Sequence, residues 1–339
     1  MRTFETIVIG AGPGGLACAT RLARHGRQVL VLERRPQAGP KVCAGGLPHH
    51  ALEELGLPPE LREAEFPLQV IRTPWQRARV RFAQPVITTV NRQRLGGWQL
   101  NQALGAGAEV RTGSPVTAVG DGWVECVNGE RLGYRHLVGA DGAASLVRRR
   151  LGLASRRLGV GINHQVPGRW PDMEWHLDPG LFGNGYAWIF PHRETTSIGA
   201  YADRAELGAL ELAARLRRWA QGLGIDLDQT PARAALINFD YQGWNFRPLF
   251  LTGDAAGLAS GFTGEGIYPA IVSGEAAASA ILDPAFKPLR LTRLLQRQRL
   301  HHRLQKLLAT HKLVCQISLE VLVLAIRAKI IGFEALEMY

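Results

Sequence analysis

The residues best placed to do chemistry stand near the start of the chain. GAGPGG sets Gly10, Gly12 and Gly15 in G-x-G-x-x-G register, and Glu33 closes the apolar run QVLVLE that follows. Gly10 permits a tight turn, Gly12 admits a pyrophosphate to the backbone, and Gly15 lets a helix pack close on a sheet. The start of that helix offers N–H groups and partial positive charge to phosphates. An acid at the end of the next strand can hold a ribose 2′-hydroxyl. The chemistry implied is the holding of a dinucleotide. Two further stretches fit it. HLVGADG delivers Asp141 and Gly142 at the end of an apolar strand, where ligands sit in such sheets. LFLTGDAAG and GFTGEGIYPA bring Asp254 and a helix start at Gly266–Ile267. The carboxylate suits a ribityl hydroxyl, and the helix N–H groups suit the pyrimidine carbonyl of a flavin.

A second chemistry is suggested by NGYAWIFP, where Tyr186, Trp188 and Phe190 alternate with small or aliphatic residues and Pro191 follows. Alternate side chains leave a strand on one face, so three rings form a wall that Pro191 ends. Aromatics are only 7% of the chain, which makes the wall a concentrated use of them. Two readings stay open from these residues alone: a core strand packed on a helix, or a surface for something flat or greasy.

The elements that must position these groups follow from pattern. Thr6–Ile9, the helix ending on Gly26 and the strand closing on Glu33 make a βαβ unit. Buried strands are expected at 136–140 and 249–252, helices at 49–57, 95–104, 205–223 and 266–282, and strand material at 78–89. The runs 159–167, 173–177, 186–190 and 196–201 predict a second, antiparallel sheet. From Leu289 onward the chain is expected to be helical to its end.

Bulk properties narrow the class. At 339 residues, 46% apolar and 20% charged, the chain can bury the cores of two modest domains. The net charge of +11 is unevenly placed. Between Pro284 and Leu319 there is no Asp or Glu, while Arg290, Arg293, Arg297, Arg299, Arg303, Lys306 and Lys312 fall there. Leu294, Leu295, Leu304, Leu307 and Leu308 add helical apolar spacing. Three readings follow for 289–312: a basic amphipathic helix on an anionic membrane surface, a holder of a substrate diphosphate, or a solvated face. No nucleic-acid motif accompanies the charge. Cys18, Cys43, Cys126 and Cys315 are scattered without metal spacing, so neither a disulfide scaffold nor a metal site is expected. The first residues run straight into a strand with no signal peptide, and the apolar tract from Leu313 to Ile331 is interrupted by Gln316, Glu320, Arg327 and Lys329. The expected location is cytoplasmic and peripheral to the membrane at most.

The three dinucleotide-type segments resemble the glutathione-reductase-type FAD fold, in the branch shared with aromatic hydroxylases. NRQR, Asn91–Arg94, is similar to that branch's segment whose Arg reaches the FAD, which places Arg92; Val116 aligns with a residue that meets adenine through its backbone. KVCAGGL, YAWIFP and GFTGEGIYPA together resemble the geranylgeranyl reductase family of flavoproteins, over Arg2 to about Leu282. That family's pattern P-x-x-Y-x-W-x-F-P is met by Tyr186, Trp188, Phe190 and Pro191, with Gly183 in place of the first Pro. The resemblance implies an α/β fold: a discontinuous Rossmann-like FAD-binding domain (1–68, 90–155 and 243–285), an antiparallel-sheet substrate domain (69–89 and 156–242) and a short helical C-terminal segment (286–339). It implies FAD held by Gly10, Gly12, Pro13, Gly14 and Gly15 in the first turn, by Glu33 and Arg34, and by Ala44, Gly45 and Leu47 of the CAGGL stretch. Arg92, Val116, Asp141, Gly142, Asp254, Gly264, Gly266 and Ile267 complete the expected set. No second G-x-G-x-x-G is present, so NAD(P)H or reduced ferredoxin is expected to act as a transient electron donor.

The family's reaction is saturation of C=C bonds in isoprenoid chains. An isolated alkene needs hydride on one carbon and a proton on its neighbour, and rings favour cationic character between them. Tyr186, Trp188 and Phe190 are therefore the expected substrate wall. Cys43 aligns with the family's Cys near the flavin; it is either a proton donor, a transient covalent link or a small apolar filler. Tyr268 is a second candidate acid, or a packing residue. Two other functions compete: a flavin monooxygenase or halogenase acting on an aromatic substrate with O₂, and a flavin-binding or electron-transfer subunit without catalysis. Halogenases carry W-x-W-x-I-P, from which Tyr186 and Phe190 depart.

Overall fold

Runs of Val, Ile and Leu flanked by glycine make the first sheet, as a sheet covered on both faces requires. In the computed structural model, which describes residues 1–39, 41–308, 312–332 and 338, its strands lie in the order 245–246, 249–251, 131–139, 3–9, 29–32 and 109–111. The pairs from 249–251 to 109–111 are all parallel. Val116–Gly120 and Trp123–Cys126 hang from Arg131–Gly139 as an antiparallel ribbon. Ile7, Val8, Leu30 and Val31 are wholly buried. The helix Pro13–Arg24 covers one face and packs along the helix Ile267–Leu282. The approach is so close that a Cβ on Gly274 would lie 2.1 Å from the Gly14 carbonyl oxygen. Gly10, at φ +103°, makes the turn between first strand and helix, and a Cβ on Gly15 would lie 2.0 Å from the Gly10 oxygen.

The second sheet has seven strands in the order 233–238, 158–167, 195–203, 186–191, 173–176, 68–72 and 77–81. It departs from the expected antiparallel sheet at one place: Met173–His176 runs parallel to Leu68–Arg72, because the chain enters Leu68–Arg72 from Arg62–Phe66 of another sheet rather than through a hairpin. Ala187 and Ile189 face the helix Ala209–Gly222 through Leu212, Leu216 and Ala220. Tyr186, Trp188 and Phe190 take the opposite face, as period-two alternation demands. The expected strand at 78–89 is two strands: Ile87–Val90 leaves this sheet and joins Gly46–Pro48 and Arg62–Phe66 in a three-stranded antiparallel sheet.

The C-terminal region, expected to be helical to its end, is helical over the two spans Leu289–Leu308 and Lys312–Arg327 and leaves the helix at 328–332; residues 309–311 lie outside the described residues. The first span turns Leu294 of the expected leucine stripe inward and leaves Leu304 outside. Leu291, Leu294, Gln298, His301 and Gln305 are buried, while Leu300 and Leu304 are exposed. Gln298 donates to the carbonyls of Gly257 and Ala259, and His301 meets the Ser260 hydroxyl. The inner face thus satisfies loop carbonyls rather than burying only leucine. The side chains of Leu307 and Leu308 lie outside the described residues. The second helix is fastened by Glu320, which accepts from the Thr73 hydroxyl at 2.6 Å, from Trp75 N–H at 3.2 Å and from Gln76 Nε2 at 2.7 Å. Among the described residues, no helix is long and apolar enough to cross a membrane.

Candidate functional site

A cavity of about 740 Å³ runs from the C-terminal edge of the parallel sheet to the ring-bearing face of the second sheet. Its first end is the glycine turn: Gly10, Gly12, Pro13 and Gly14 line it. The helix Pro13–Arg24 begins on Gly12 with no side-chain cap and no acidic residue in its first turn, which leaves its positive end to a ligand. Glu33 and Arg34 line the same end. One Glu33 oxygen accepts from Ala11 N–H at 2.7 Å and the other from Arg35 N–H at 2.9 Å, so the carboxylate is pinned at the mouth of the turn. Val116, Asp141, Gly142 and Arg92 lie farther along.

At this end Asp141 Oδ1, Arg92 Nε and Thr252 Oγ1 are buried with no hydrogen-bond partner among the described residues. Buried polar groups are rarely left so, and here all three border one cavity. Burial pushes the Asp141 carboxyl up, against bonds from Ser145 and Leu146 N–H that pull it down. Burial likewise lowers the Arg92 guanidinium, with Cys43 and Asp254 opposing. Asp254 is paired with Lys41 at 2.8 Å. A long ligand with phosphates and hydroxyls fits this donor and acceptor set.

The other end is aromatic. Trp175 stands opposite Trp188 across one strand pair and Tyr201 opposite Tyr186 across the next. Five rings of this sheet therefore line the cavity, Trp175, Tyr186, Trp188, Phe190 and Tyr201, and Phe262 of the neighbouring loop joins them. Trp175 meets Phe190 edge-on at 4.6 Å between centroids and Tyr186 at 5.4 Å. Each polar edge is satisfied by the protein itself. Trp188 Nε1 donates to Ser197 Oγ at 2.9 Å, Tyr186 to the Thr263 carbonyl at 2.5 Å and Tyr201 to the Gly261 carbonyl at 2.8 Å. The rings present their apolar faces and hold the loop 261–266 in place. Leu319, Leu322, Val323 and Ile326 of the last helix roof this end.

Cys43 and Ala44 lie where the two ends meet. The Cys43 sulfur accepts from Gly45 N–H at 3.3 Å. His192 bonds Glu63 at 2.6 Å through one ring nitrogen and the Ala44 carbonyl at 3.0 Å through the other, so the loop carrying Cys43 is tied to the end of the ring strand. Gly264, Gly266 and Ile267 also border the cavity.

Four residues expected at the site are not in its wall. Gly15 lies beneath the turn, where it permits packing, and Gly45, at φ +82°, turns the backbone against His192. Leu47 is wholly buried with Leu52, Val90 and Leu95. Tyr268 sits one helical step beyond Ile267, points into the core of the first domain and donates to Glu54 at 2.9 Å; it is no acid for this cavity. The wall residues that the sequence reading did not single out include Trp175, Tyr201 and Glu265. Trp175 and Tyr201 lay in expected strands but needed the register to face the site. Glu265 was passed over as part of a glycine turn.

Residues 4–159 match the family described as pyridine nucleotide-disulphide oxidoreductase. The chain is 30% identical over 336 residues to the protein FixC of Salmonella typhi, covering 82% of this chain and 76% of that one. It is 28% identical over 300 residues to the geranylgeranyl diphosphate reductase of Rhodobacter capsulatus, covering 82% and 75%. Among solved structures, a geranylgeranyl bacteriochlorophyll reductase-like protein of Thermoplasma acidophilum superposes with a TM-score of 0.83 at 23% identity, over 99% of this chain and 95% of that one. A nucleotide cleft that opens onto a ring-lined chamber, on this fold and with these relatives, places the chain in the geranylgeranyl reductase family of FAD-dependent oxidoreductases.

Proposed function

We propose that this enzyme saturates C=C bonds of an isoprenoid chain carried on a diphosphate or a lipid. One observation carries the proposal: a single cavity joins the polar nucleotide cradle to the ring-lined chamber, so a greasy chain and a flavin share one space. FAD supplies hydride when it is bound and reduced. The turn at Gly10, Gly12 and Gly14 receives its pyrophosphate, Glu33 its adenosine ribose, and Val116 its adenine. Arg92, Asp141 and Asp254 meet its remaining polar groups, with Lys41 balancing the charge of Asp254. The N–H groups at Gly266 and Ile267, at the start of a helix bordering the cavity, would hold its pyrimidine carbonyl. Tyr186, Trp188 and Phe190 orient the chain and favour positive character on the carbon between hydride and proton, by about 1–2 kcal/mol for each desolvated contact. Cys43 borders the place where both meet. The electron donor is NAD(P)H or reduced ferredoxin, visiting without a nucleotide fold of its own.

The enzyme works at an anionic membrane surface in this proposal. The roof helix Lys312–Arg327 supports it: Leu313, Ile317, Val321 and Leu324 form an exposed stripe on its outer side, and Lys312, Arg327 and Lys329 are exposed at its ends. Apolar stripes edged by cations lie in membrane interfaces.

Anaerobic reoxidation tests the reaction. The reduced protein is mixed with geranylgeranyl diphosphate, a prenylquinone or an aromatic acid. Return of the yellow colour with a prenyl compound, and a gain of two hydrogens in its mass, is expected. Reoxidation only after O₂ is admitted, with an oxygenated or halogenated aromatic product, would establish the monooxygenase or halogenase alternative instead.

A further inference from the structure

Resting on the reductase proposal, we infer that Glu265 is the acid of the reaction, and that its carboxyl hands the proton to the alkene carbon that does not take hydride. Glu265 borders the cavity between Gly264 and Gly266, on the same wall space as Cys43 and Tyr186. Its Oε2 accepts from Met338 N–H at 3.0 Å. Its Oε1 is buried and makes no hydrogen bond among the described residues. An oxygen in that state is best accommodated as a carboxylic O–H, which can turn toward a ligand in the cavity.

The surroundings keep the proton on. Among the described residues no Lys or Arg pairs with Glu265, and Lys41 and Asp254, which border the same cavity, pair with each other at 2.8 Å. The ring strand presents Tyr186 and the loop before Gly46 presents Cys43, and both Glu265 and Cys43 raise the Tyr186 phenol after burial has done so. The helix Leu289–Leu308 sets His301 against Ser260 of the same loop, and burial pushes that imidazole down to about 4, so it is neutral. Burial raises the Glu265 carboxyl to about 7, with only the Met338 N–H opposing. The loop itself is fixed by Tyr186 and Tyr201 through the Thr263 and Gly261 carbonyls. A general acid works best with a pKa near the working pH and a fixed position.

The atoms balance simply. The π pair of the alkene takes the proton from Oε1 and becomes one C–H bond. The hydride that completes the neighbouring tertiary carbon would be supplied by FAD, bound and reduced, which would be oxidised in turn. The Glu265 carboxylate left behind regains a proton from water. Cys43, whose sulfur accepts a bond from Gly45 N–H, is the other candidate for the same proton.

The test compares wild type with Glu265→Gln and Glu265→Asp. FAD affinity and anaerobic reduction are expected to stay within about twofold. Single-turnover reoxidation by geranylgeranyl diphosphate is expected to fall about 100-fold or more in the Gln variant and to be partly restored by Asp. In wild type that rate falls as pH rises through about 7, and the limb is lost in Gln. Independently of turnover, infrared titration of the protein without substrate is expected to show a protonated-carboxyl band that disappears near that pH and is missing in Gln. A Gln variant that keeps its rate or its pH limb, or a band that survives the substitution, overturns the assignment while leaving the reductase proposal standing. Failure of every prenyl compound to reoxidise the wild type overturns both. If Gln fails to fold, the Asp variant decides: an unshifted pH limb and band overturn the assignment.

Discussion

Glu265 has an effect on stability that is separate from any reaction. Its carboxyl keeps a proton in the folded protein up to about 7, against an ordinary value of 4.5. The unfolded chain releases that proton first, so rising pH favours unfolding from about 4.5 upward and the loss is complete above about 7. Glutamine does not titrate. Glu265→Gln should therefore gain stability relative to wild type at pH 8 but not at pH 4, by about 1–3 kcal/mol in paired urea melts. Glu174 has the opposite sign. Although burial pushes it up, bonds from His176 and Arg72 hold it down to about 2. Its contribution is present above its ordinary value of 4.5 and is lost as pH falls toward about 2, so Glu174→Gln should flatten the acid limb of the same melts. At the ring wall, Trp188→Phe removes the bond to Ser197 but leaves a ring. It should lower prenyl turnover about tenfold while FAD affinity changes little; equal loss of both would make the wall mere core.

Elements carry the next set of consequences. The helices Pro13–Arg24 and Ile267–Leu282 touch through glycine, so Gly274→Leu must drive them apart. Overpacking there should destabilise by about 1–3 kcal/mol or more and loosen FAD, because the second helix also positions Gly266 and Ile267. Thermal melts with and without added FAD measure both. The first βαβ unit was legible because its signals are local: glycines at fixed spacing between runs of Val and Leu. So was the ring strand, whose alternation survives in the structure residue by residue. What stayed illegible depends on partners distant in sequence. Nothing in RFAQPVITTV tells that Arg77–Arg81 and Ile87–Val90 serve different sheets. Arg233–Asn238, written RAALIN and half exposed, lacks the alternation that marks a strand. In Leu289–Leu308 the buried Gln298 answers loop carbonyls, His301 the Ser260 hydroxyl and Gln305 the Asp203 carboxylate, pairings that apolar periodicity does not carry. Glu265 shows no local signal at all, since its character comes from burial rather than from its neighbours in the chain.

At the scale of the molecule, net charge of +11 and an apolar outer stripe meet on the C-terminal helices. Basic residues near an anionic surface contribute about 1 kcal/mol each, and salt weakens them. Cosedimentation with phosphatidylglycerol vesicles should exceed that with neutral ones, fall with added salt, and fall further when Val321 and Leu324 are both replaced by Glu. Equal pelleting of wild type and the double variant would assign the stripe to some other contact. The helix bearing that stripe also roofs the chamber, and Glu320 fastens it with Thr73, Trp75 and Gln76, while Gln316 Nε2 reaches the same carboxylate at 2.5 Å. A lid secured at one such knot does not slide by degrees: its fastenings hold together or part together. Prenyl tails of unequal length would then differ in how deeply they thread, not in how far the lid lifts, and the passage would act as a ruler that selects which double bond halts beside the hydride.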